Sequence, residues 1–136
     1  MTLTREQLIE IAVEKFFKGM NNKNVASATD IMAEDCLMRF SAAKYRYEGR
    51  AANVVHLTEV TETFSKIYFH NFVSIVDVPQ QAIATRFNVE LTDLDGEVLA
   101  MSNSNWFQFN EAGQVSEILI YNAAPLQKGF EAGSAT

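Results

Sequence analysis

The chain has 136 residues, enough for one domain of ordinary size built around a single hydrophobic core. Its formal net charge is -6 and it contains no run of Lys or Arg, which argues against nucleic acid or an anionic membrane surface as a partner. The N-terminal region is charged and no apolar run approaches membrane-spanning length, so we expect no signal peptide, no membrane span and a soluble cytoplasmic protein.

The apolar content of the chain is high for its size. Hydrophobic residues make up 48 % of the chain, and ten residues are phenylalanine, which can fill a core or wall an apolar cavity. The one cysteine, Cys36, cannot form an internal disulfide, and its apolar neighbours Leu37 and Met38 predict a core position.

Helix signals cluster in the first half of the chain. Thr4 and Gln7 have capping-box spacing, Asn24 can cap a second helix, and Gly49 opens a third. The predicted helices are 5–20, 25–33 and 50–66. Two short strands are predicted between the second and third helices, at 36–40 and 45–48.

The second half of the chain predicts an antiparallel meander. Strands are expected at 67–78, 81–92, 98–110 and 115–122, with Asp95-Gly96 as the strongest hairpin signal. We expect one domain over residues 1–136, with a small, polar and disordered tail at 129–136.

Three helices followed by long strands predict an α+β domain. Strands of about a dozen residues must curve, and a curved sheet around helices leaves a conical space. Helices on one face leave the other face to be covered, which predicts a homodimer through the outer sheet face. Trp106 is expected on that dimer face, because its parity is opposite to that of Asn105.

The order of these elements resembles the nuclear transport factor 2-like superfamily, in its SnoaL-like form, from about Thr4 to Ala124. The resemblance implies a cone-shaped α+β fold with a pocket for a small organic molecule. This scaffold hosts isomerases, hydrolases, dehydratases, cyclases and non-catalytic binders, so the fold does not select a reaction. The resemblance is carried by Ala33-Glu34-Asp35 at the end of the second helix, Gly49-Arg50-Ala51-Ala52, Phe107-Gln108-Phe109, Gly113-Gln114-Val115 and Tyr121.

Two chemistries of this superfamily can be tested on the residues. Ketosteroid isomerases need a tyrosine donor and a carboxylate base, and the matching positions here are Phe16 and Phe40, which can do neither. The Arg-x-Asp pair of limonene epoxide hydrolase matches Arg86-Phe87-Asn88, and its second carboxylate matches Ile120. Both reactions lack their base, so neither is expected, and Phe16, Phe40 and Ile120 are instead expected to contact a ligand in the pocket.

The resemblance sets a parity in which polar side chains point into the cone. Arg86 and Asn88 are expected there, together with Asn103 and Asn105 on the next strand. Their partners are either a ligand carbonyl, hydroxyl or carboxylate, or one another, the backbone and ordered water. For Arg86 a structural ion pair with Glu48 or Glu117 is the alternative.

His56 and His70 are candidate general acids or bases, because only histidine has an ordinary pKa near neutrality. The alternative for each is a histidine at the surface or the core edge. Their spacing does not resemble a metal site, and no cofactor motif is present, so neither a metal nor a cofactor is expected. Tyr45 and Tyr47 lie where the superfamily often has a loop over the cavity mouth. Each is expected either to pack against neighbouring side chains or to donate a hydrogen bond to a ligand.

Three functions remain open from the sequence. The first is an enzyme acting by acid–base chemistry on a small, largely apolar molecule, with Arg86, Asn88, Asn103 and a histidine as its polar groups. The second is a non-catalytic protein that encloses such a ligand. The third is a dimeric interaction module whose cone is filled by core side chains.

Overall fold

The computed structural model describes residues 1–41 and 45–122, in which helices cover one face of a curved six-stranded sheet. The strand order is β2-β1-β6-β5-β4-β3, and β1 runs parallel to β6 while the other neighbours are antiparallel. The α+β cone expected from the sequence is confirmed. The strands are β1 (Met32–Phe40), β2 (Arg46–Glu48), β3 (Phe64–Asp77), β4 (Ala82–Asp93), β5 (Val98–Phe109) and β6 (Val115–Asn122).

The first helix consists of three consecutive segments, α1 (Arg5–Ile9), a π-helical segment (Glu10–Phe17) and α2 (Lys18–Asn21). Its start has the predicted capping box, in which the Gln7 backbone N–H donates to Thr4 Oγ1 at 3.2 Å and the Thr4 N–H donates to Gln7 Oε1 at 2.9 Å. The sequence predicts a regular α-helix here. The π-helical segment differs because each N–H reaches back five residues instead of four.

Two other helices follow, α3 (Val25–Thr29) and α4 (Arg50–Thr63). Both end earlier than predicted, and the strands after them start earlier. The segment at 33–35 therefore lies in β1 and does not end a helix. The physical reason is strand pairing: Met32 already pairs with Val115 of β6, and Phe64 already pairs with Asp93 of β4.

The start of α4 is held by a buried amide that the sequence analysis did not single out. Asn53 is fully buried, and its Nδ2 donates to the backbone oxygens of Gly49 at 2.8 Å, Cys36 at 3.2 Å and Tyr47 at 3.3 Å. Gly49 has φ +95°, a conformation that only glycine adopts easily. Together these residues fix α4 against β1 and β2.

A bulge interrupts the pairing of β3 with β4 between His70 and Val73, where Asn71 has φ +58°. The bulge changes the alternation of the strand, so that Phe69 and Phe72 both pack on Phe17, each with a ring-centroid separation of 5.3 Å. Asn21, the last residue of α2, stabilises the strand next to the bulge. Its Nδ2 donates to the Phe69 backbone oxygen at 2.9 Å, and its Oδ1 accepts from the Phe69 N–H at 2.6 Å.

The core lies between the helices and the inner face of the sheet. Phe17 is at its centre, with the ring of Phe87 at 4.4 Å and that of Phe107 at 5.6 Å. Rings at these distances and inclined to one another are a favourable aromatic arrangement.

The outer face of the sheet carries an apolar row across four strands. Register places Ile75 opposite Ala84, Ala84 opposite Trp106, and Trp106 opposite Leu119. Ile75 is 75 % exposed and Trp106 is 40 % exposed. No helix of the described residues covers this row.

Candidate functional site

The cone contains a cavity of about 240 Å³ between the helices and the inner sheet face. Its walls come from the first helix, α4 and every strand except β2. Eleven of the described lining side chains are apolar and three are polar: Phe16, Phe17, Phe40, Val60, Phe64, Phe69, Phe87, Val89, Leu91, Met101 and Ile120, together with His56, Asn103 and Asn105.

His56 reaches the cavity from α4, and its ring stacks on Tyr47 of β2 with centroids 3.8 Å apart and planes inclined by 13°. Burial lowers the pKa of His56 below its ordinary value of 6.5, and the charge of Glu59 opposes this only in part. The imidazole is therefore neutral at pH 7 and can accept a proton. Tyr47 itself is not among the described lining residues, so its expected contact with a ligand is not seen, and its ring packs on the imidazole instead.

Asn103 and Asn105 both project from β5 into the cavity wall. Asn105 is 3 % exposed, and its Oδ1 has no hydrogen-bond partner among the described residues. The cavity thus has a neutral imidazole and two amides as its polar groups. Such groups can exchange hydrogen bonds with an uncharged ligand.

The expectation that Arg86 and Asn88 point into the cone is wrong. Arg86 pairs with Ser104 and Asn88 with Ser102, so both are on the face opposite to Asn103, and both are exposed. On β4 the resemblance therefore assigned the inward face to the wrong set of alternate residues. The inward positions there belong to Phe87, Val89 and Leu91, so no carboxylate or guanidinium enters the cavity from this strand.

His70 also lies on the outer face, where it pairs with Asn88 and stacks on Tyr68 with centroids 4.3 Å apart. Its Nε2 is 2.9 Å from Glu90 Oε2, but the ring N–H is not aligned for a hydrogen bond, so this contact is an ion pair only when the imidazole is protonated. His70 therefore does not share a site with His56, and its expected role in the cavity is wrong.

The structure brings together six residues named in the sequence analysis: His56, Asn103 and Asn105 as candidate polar groups, and Phe16, Phe40 and Ile120, which were expected to contact a ligand without taking part in catalysis. It adds wall residues that the analysis missed, such as Val60, Phe69 and Met101. An alternating pattern could have suggested Met101, two residues before Asn103. Nothing in the local sequence signals the bulge that follows Phe69.

Cys36 offers no reactive group. It is fully buried, and burial raises the pKa of its thiol to about 12, with smaller contributions from the charges of Asp35 and Glu117. A thiol of this kind stays protonated and unreactive at neutral pH.

The described residues contain neither a cluster suited to a metal ion nor a membrane-spanning helix. Within 1–41 and 45–122, no group of three or more His, Cys, Asp or Glu residues is placed to hold a metal ion. No helix in the same ranges is long and apolar enough to cross a membrane.

No protein-family model matches the sequence, and no curated protein matches it either. Solved structures do match. A protein of unknown function with a cystatin-like fold from Methylobium petroleophilum PM1 has a TM-score of 0.75 at 19 % identity, over 95 % of this chain and 84 % of that one.

Two structures named for enzymes match as well. A candidate polyketide cyclase from Xanthomonas campestris has a TM-score of 0.76 at 14 % identity, over 97 % of this chain and 98 % of that one. An LEH-like epoxide hydrolase from M. tuberculosis has a TM-score of 0.71 at 14 % identity, over 87 % of this chain and 84 % of that one. Such low identities speak for architecture alone, and on that evidence the chain has the nuclear transport factor 2-like fold of SnoaL-like domains.

Proposed function

We propose that this protein binds a small, uncharged and largely apolar organic molecule in the conical cavity. The observation that carries the proposal is the composition of the wall: among the described lining residues none is Asp, Glu, Lys or Arg. Moving an ion from water into such a wall without a counter-charge is costly, whereas an apolar molecule gains by the same transfer.

The volume of the cavity sets the size of the molecule. A cavity of roughly 150 Å³ with apolar walls accommodates benzene. The cavity here is about 240 Å³, which suits a compound of two fused rings. Six phenylalanines in the wall favour ring systems, because aromatic edges and faces pack well on one another.

Acid–base catalysis on the bound molecule is the second part of the proposal, with His56 as the base. A neutral imidazole in an apolar wall can take a proton from a substrate, and its lowered pKa keeps it in that form at pH 7. The fold is shared with proteins named as an epoxide hydrolase and a candidate cyclase, which act on small molecules by their names. The alternative is a binding protein without catalysis, in which His56 serves only as a polar contact.

We further propose that the protein is a homodimer through the outer sheet face. The row formed by Ile75, Ala84, Trp106 and Leu119 is a continuous apolar surface, and a second copy of the chain would cover it. The proposal also keeps residues 1–136 as one domain acting in the cytoplasm, in line with a charged N-terminal region and the lack of a long apolar run.

Binding of a neutral naphthylamine fluorophore tests the first part of the proposal. We expect its emission to rise on mixing with the protein and to saturate, because the probe leaves water for the apolar wall. Val60→Phe places a larger side chain in the wall and should weaken binding at least about tenfold, since the added ring occupies space the probe needs.

Val55→Phe is the matched control, because Val55 lies on the same helix but is 59 % exposed and outside the wall. It should leave the affinity unchanged. Equal binding by the wild type, Val60→Phe and Val55→Phe would show that the probe binds elsewhere and would contradict the proposal.

A further inference from the structure

Asn105, a residue of the cavity wall, has a buried side-chain oxygen that accepts no hydrogen bond from the described residues. The residue is 3 % exposed and lies in the middle of β5, between Thr85 on one neighbouring strand and Ile120 on the other. Its Oδ1 accepts no hydrogen bond from any described residue. Buried amide oxygens in folded proteins nearly always have a partner, so this exception calls for a physical reason.

The two cross-strand neighbours of Asn105 do not donate to it. Ile120 has no donor, and the Thr85 hydroxyl lies 3.0 Å from the Ser74 hydroxyl and makes no hydrogen bond with Asn105 Oδ1. The terminal torsion of an asparagine side chain is soft, so the amide can rotate and turn its oxygen toward a donor inside the cavity. A ligand is the group that can supply that donor.

We infer that the molecule bound in the cavity carries a hydroxyl group that donates a hydrogen bond to Asn105 Oδ1. The ligand class is an uncharged, hydroxylated compound of two fused rings, with its rings on the phenylalanine wall and its hydroxyl on β5. The inference rests on the proposed function, because it assumes that the cavity takes a small apolar molecule. It goes further by naming the polar group that the site selects.

A carboxylate at the same place is disfavoured. Carboxylate oxygens and Asn105 Oδ1 are all hydrogen-bond acceptors, so they would repel one another. No described wall residue carries a positive charge at pH 7 that could offset this repulsion. Arg86, the guanidinium expected to attract an anion, is on the outer face. The site is therefore expected to bind a compound with a hydroxyl group more tightly than one with a carboxylate, because its described wall has no charge to pair with an anion.

Three naphthalene compounds test the inference at pH 7 by displacement of the neutral naphthylamine probe. Naphthol should bind about tenfold more tightly than naphthalene, because it satisfies a buried acceptor that naphthalene leaves unpaired. Methoxynaphthalene keeps the oxygen but lacks the donor, so it should bind no better than naphthalene. Naphthoate should bind most weakly of all.

Asn105→Leu removes the acceptor while keeping a side chain of similar size. In this variant naphthol and naphthalene should bind equally well, and the thermal midpoint should stay the same or rise because a buried unpaired oxygen is gone. Asn88→Leu makes the same change on the exposed face of β4 and should keep the preference for naphthol.

The outcomes separate the inference from the proposed function. Equal binding of naphthol and methoxynaphthalene to the wild type overturns the inference, and so does a naphthol preference that persists in Asn105→Leu. The comparison of naphthol with methoxynaphthalene on the wild-type protein tests the inference even when Asn105→Leu does not fold. Failure of all the neutral compounds, and of the probe itself, to bind would instead overturn the proposed function.

Discussion

His56 is the one titratable side chain among the described wall residues, and its pKa is lowered. Burial in an apolar wall disfavours the imidazolium and lowers the pKa of His56, and the charge of Glu59 offsets only part of that effect. The stack on Tyr47 holds the ring plane. A base that is neutral, held in place and surrounded by apolar side chains is suited to removing a proton from an uncharged substrate.

Nitrobenzisoxazole provides a test of His56 as a base without knowledge of the natural substrate. Removal of its ring C–H proton drives cleavage of the N–O bond and gives a coloured cyanonitrophenolate, so only a base is needed. We expect the wild type to accelerate this reaction and His56→Gln to lose at least about tenfold of the rate. The rate should rise with pH through the lowered pKa of His56 and be level by pH 7, because the neutral imidazole is the active form.

His70→Gln is the control for this experiment, because His70 lies on the outer face beside Glu90 and should not contribute. A wild-type rate that equals the His56→Gln rate at all pH values would remove His56 as a base. The binding proposal would stand in that case, and the protein would be a non-catalytic binder.

Residue-level prediction from the sequence succeeded on β5 and failed on β4. The parity of Asn103 and Asn105 with Phe107 placed both asparagines correctly, because alternation is regular along β5. Arg86 and Asn88 were placed by the resemblance against the alternation of their own strand, in which Phe87 and Val89 are the apolar residues. The cross-strand register agrees with that alternation, because Phe87 pairs with Asn103 of β5, so the pattern of β4 alone was the better guide.

Two irregular elements determine how many aromatic rings reach the cavity. The π-helical segment ends at Phe17, and the bulge in β3 follows Phe69. Each inserts about one residue relative to the regular repeat and so turns an additional side chain inward. Hydrophobic periodicity assumes a constant repeat, so the sequence predicts the helix and the strand but neither of these insertions.

Asn21→Ala tests how the two irregular elements are joined. The change removes both hydrogen bonds between the Asn21 side chain and the Phe69 backbone, and leaves a partly buried N–H and oxygen short of a partner. We expect a loss of about 1–2 kcal/mol in the free energy of unfolding, measured by urea denaturation. Hydrogen exchange at the Phe69 amide should also become faster.

Asn22→Ala is the matched control, since Asn22 is the next residue, is exposed and has no such side-chain contact with β3. It should change the free energy of unfolding by less than about 0.5 kcal/mol. Equal effects of the two substitutions would mean that the contact with Phe69 does not stabilise the junction.

At the scale of the whole molecule, helices cover the inner face of the sheet, and the outer face carries an apolar row that no helix of the described residues covers. The order of three helices and a meander, with strong hairpin and capping signals, was enough to predict the α+β cone from the sequence. The boundaries near 29–36 and 63–67 were less accurate, because pairing with distant strands extends β1 and β3 beyond their local signals. Long-range pairing also produces the parallel contact of β1 with β6, which no local pattern indicates.

Trp106→Glu tests the homodimer. Trp106 lies within the apolar row of the outer face, so a charge there would be buried without a partner in the proposed interface. Light scattering at micromolar concentration should give the mass of two chains for the wild type and of one chain for the variant. A secondary-structure spectrum like that of the wild type would show that the variant is folded.

Leu94→Glu controls for the added charge, because Leu94 is 74 % exposed and lies in the turn after β4, away from the row. It should remain a dimer. A wild-type mass of one chain at the same concentration would contradict the homodimer, and the outer row would then require another partner.

The central position of β6 has a consequence for how the molecule is made. In the sheet, β1 and β2 are connected to β5, β4 and β3 only through this last strand. During synthesis the early strands must therefore wait, with their apolar side chains uncovered, until residues 115–122 leave the ribosome. We therefore expect the wall, and with it the ability to hold a ligand, to be completed late in folding.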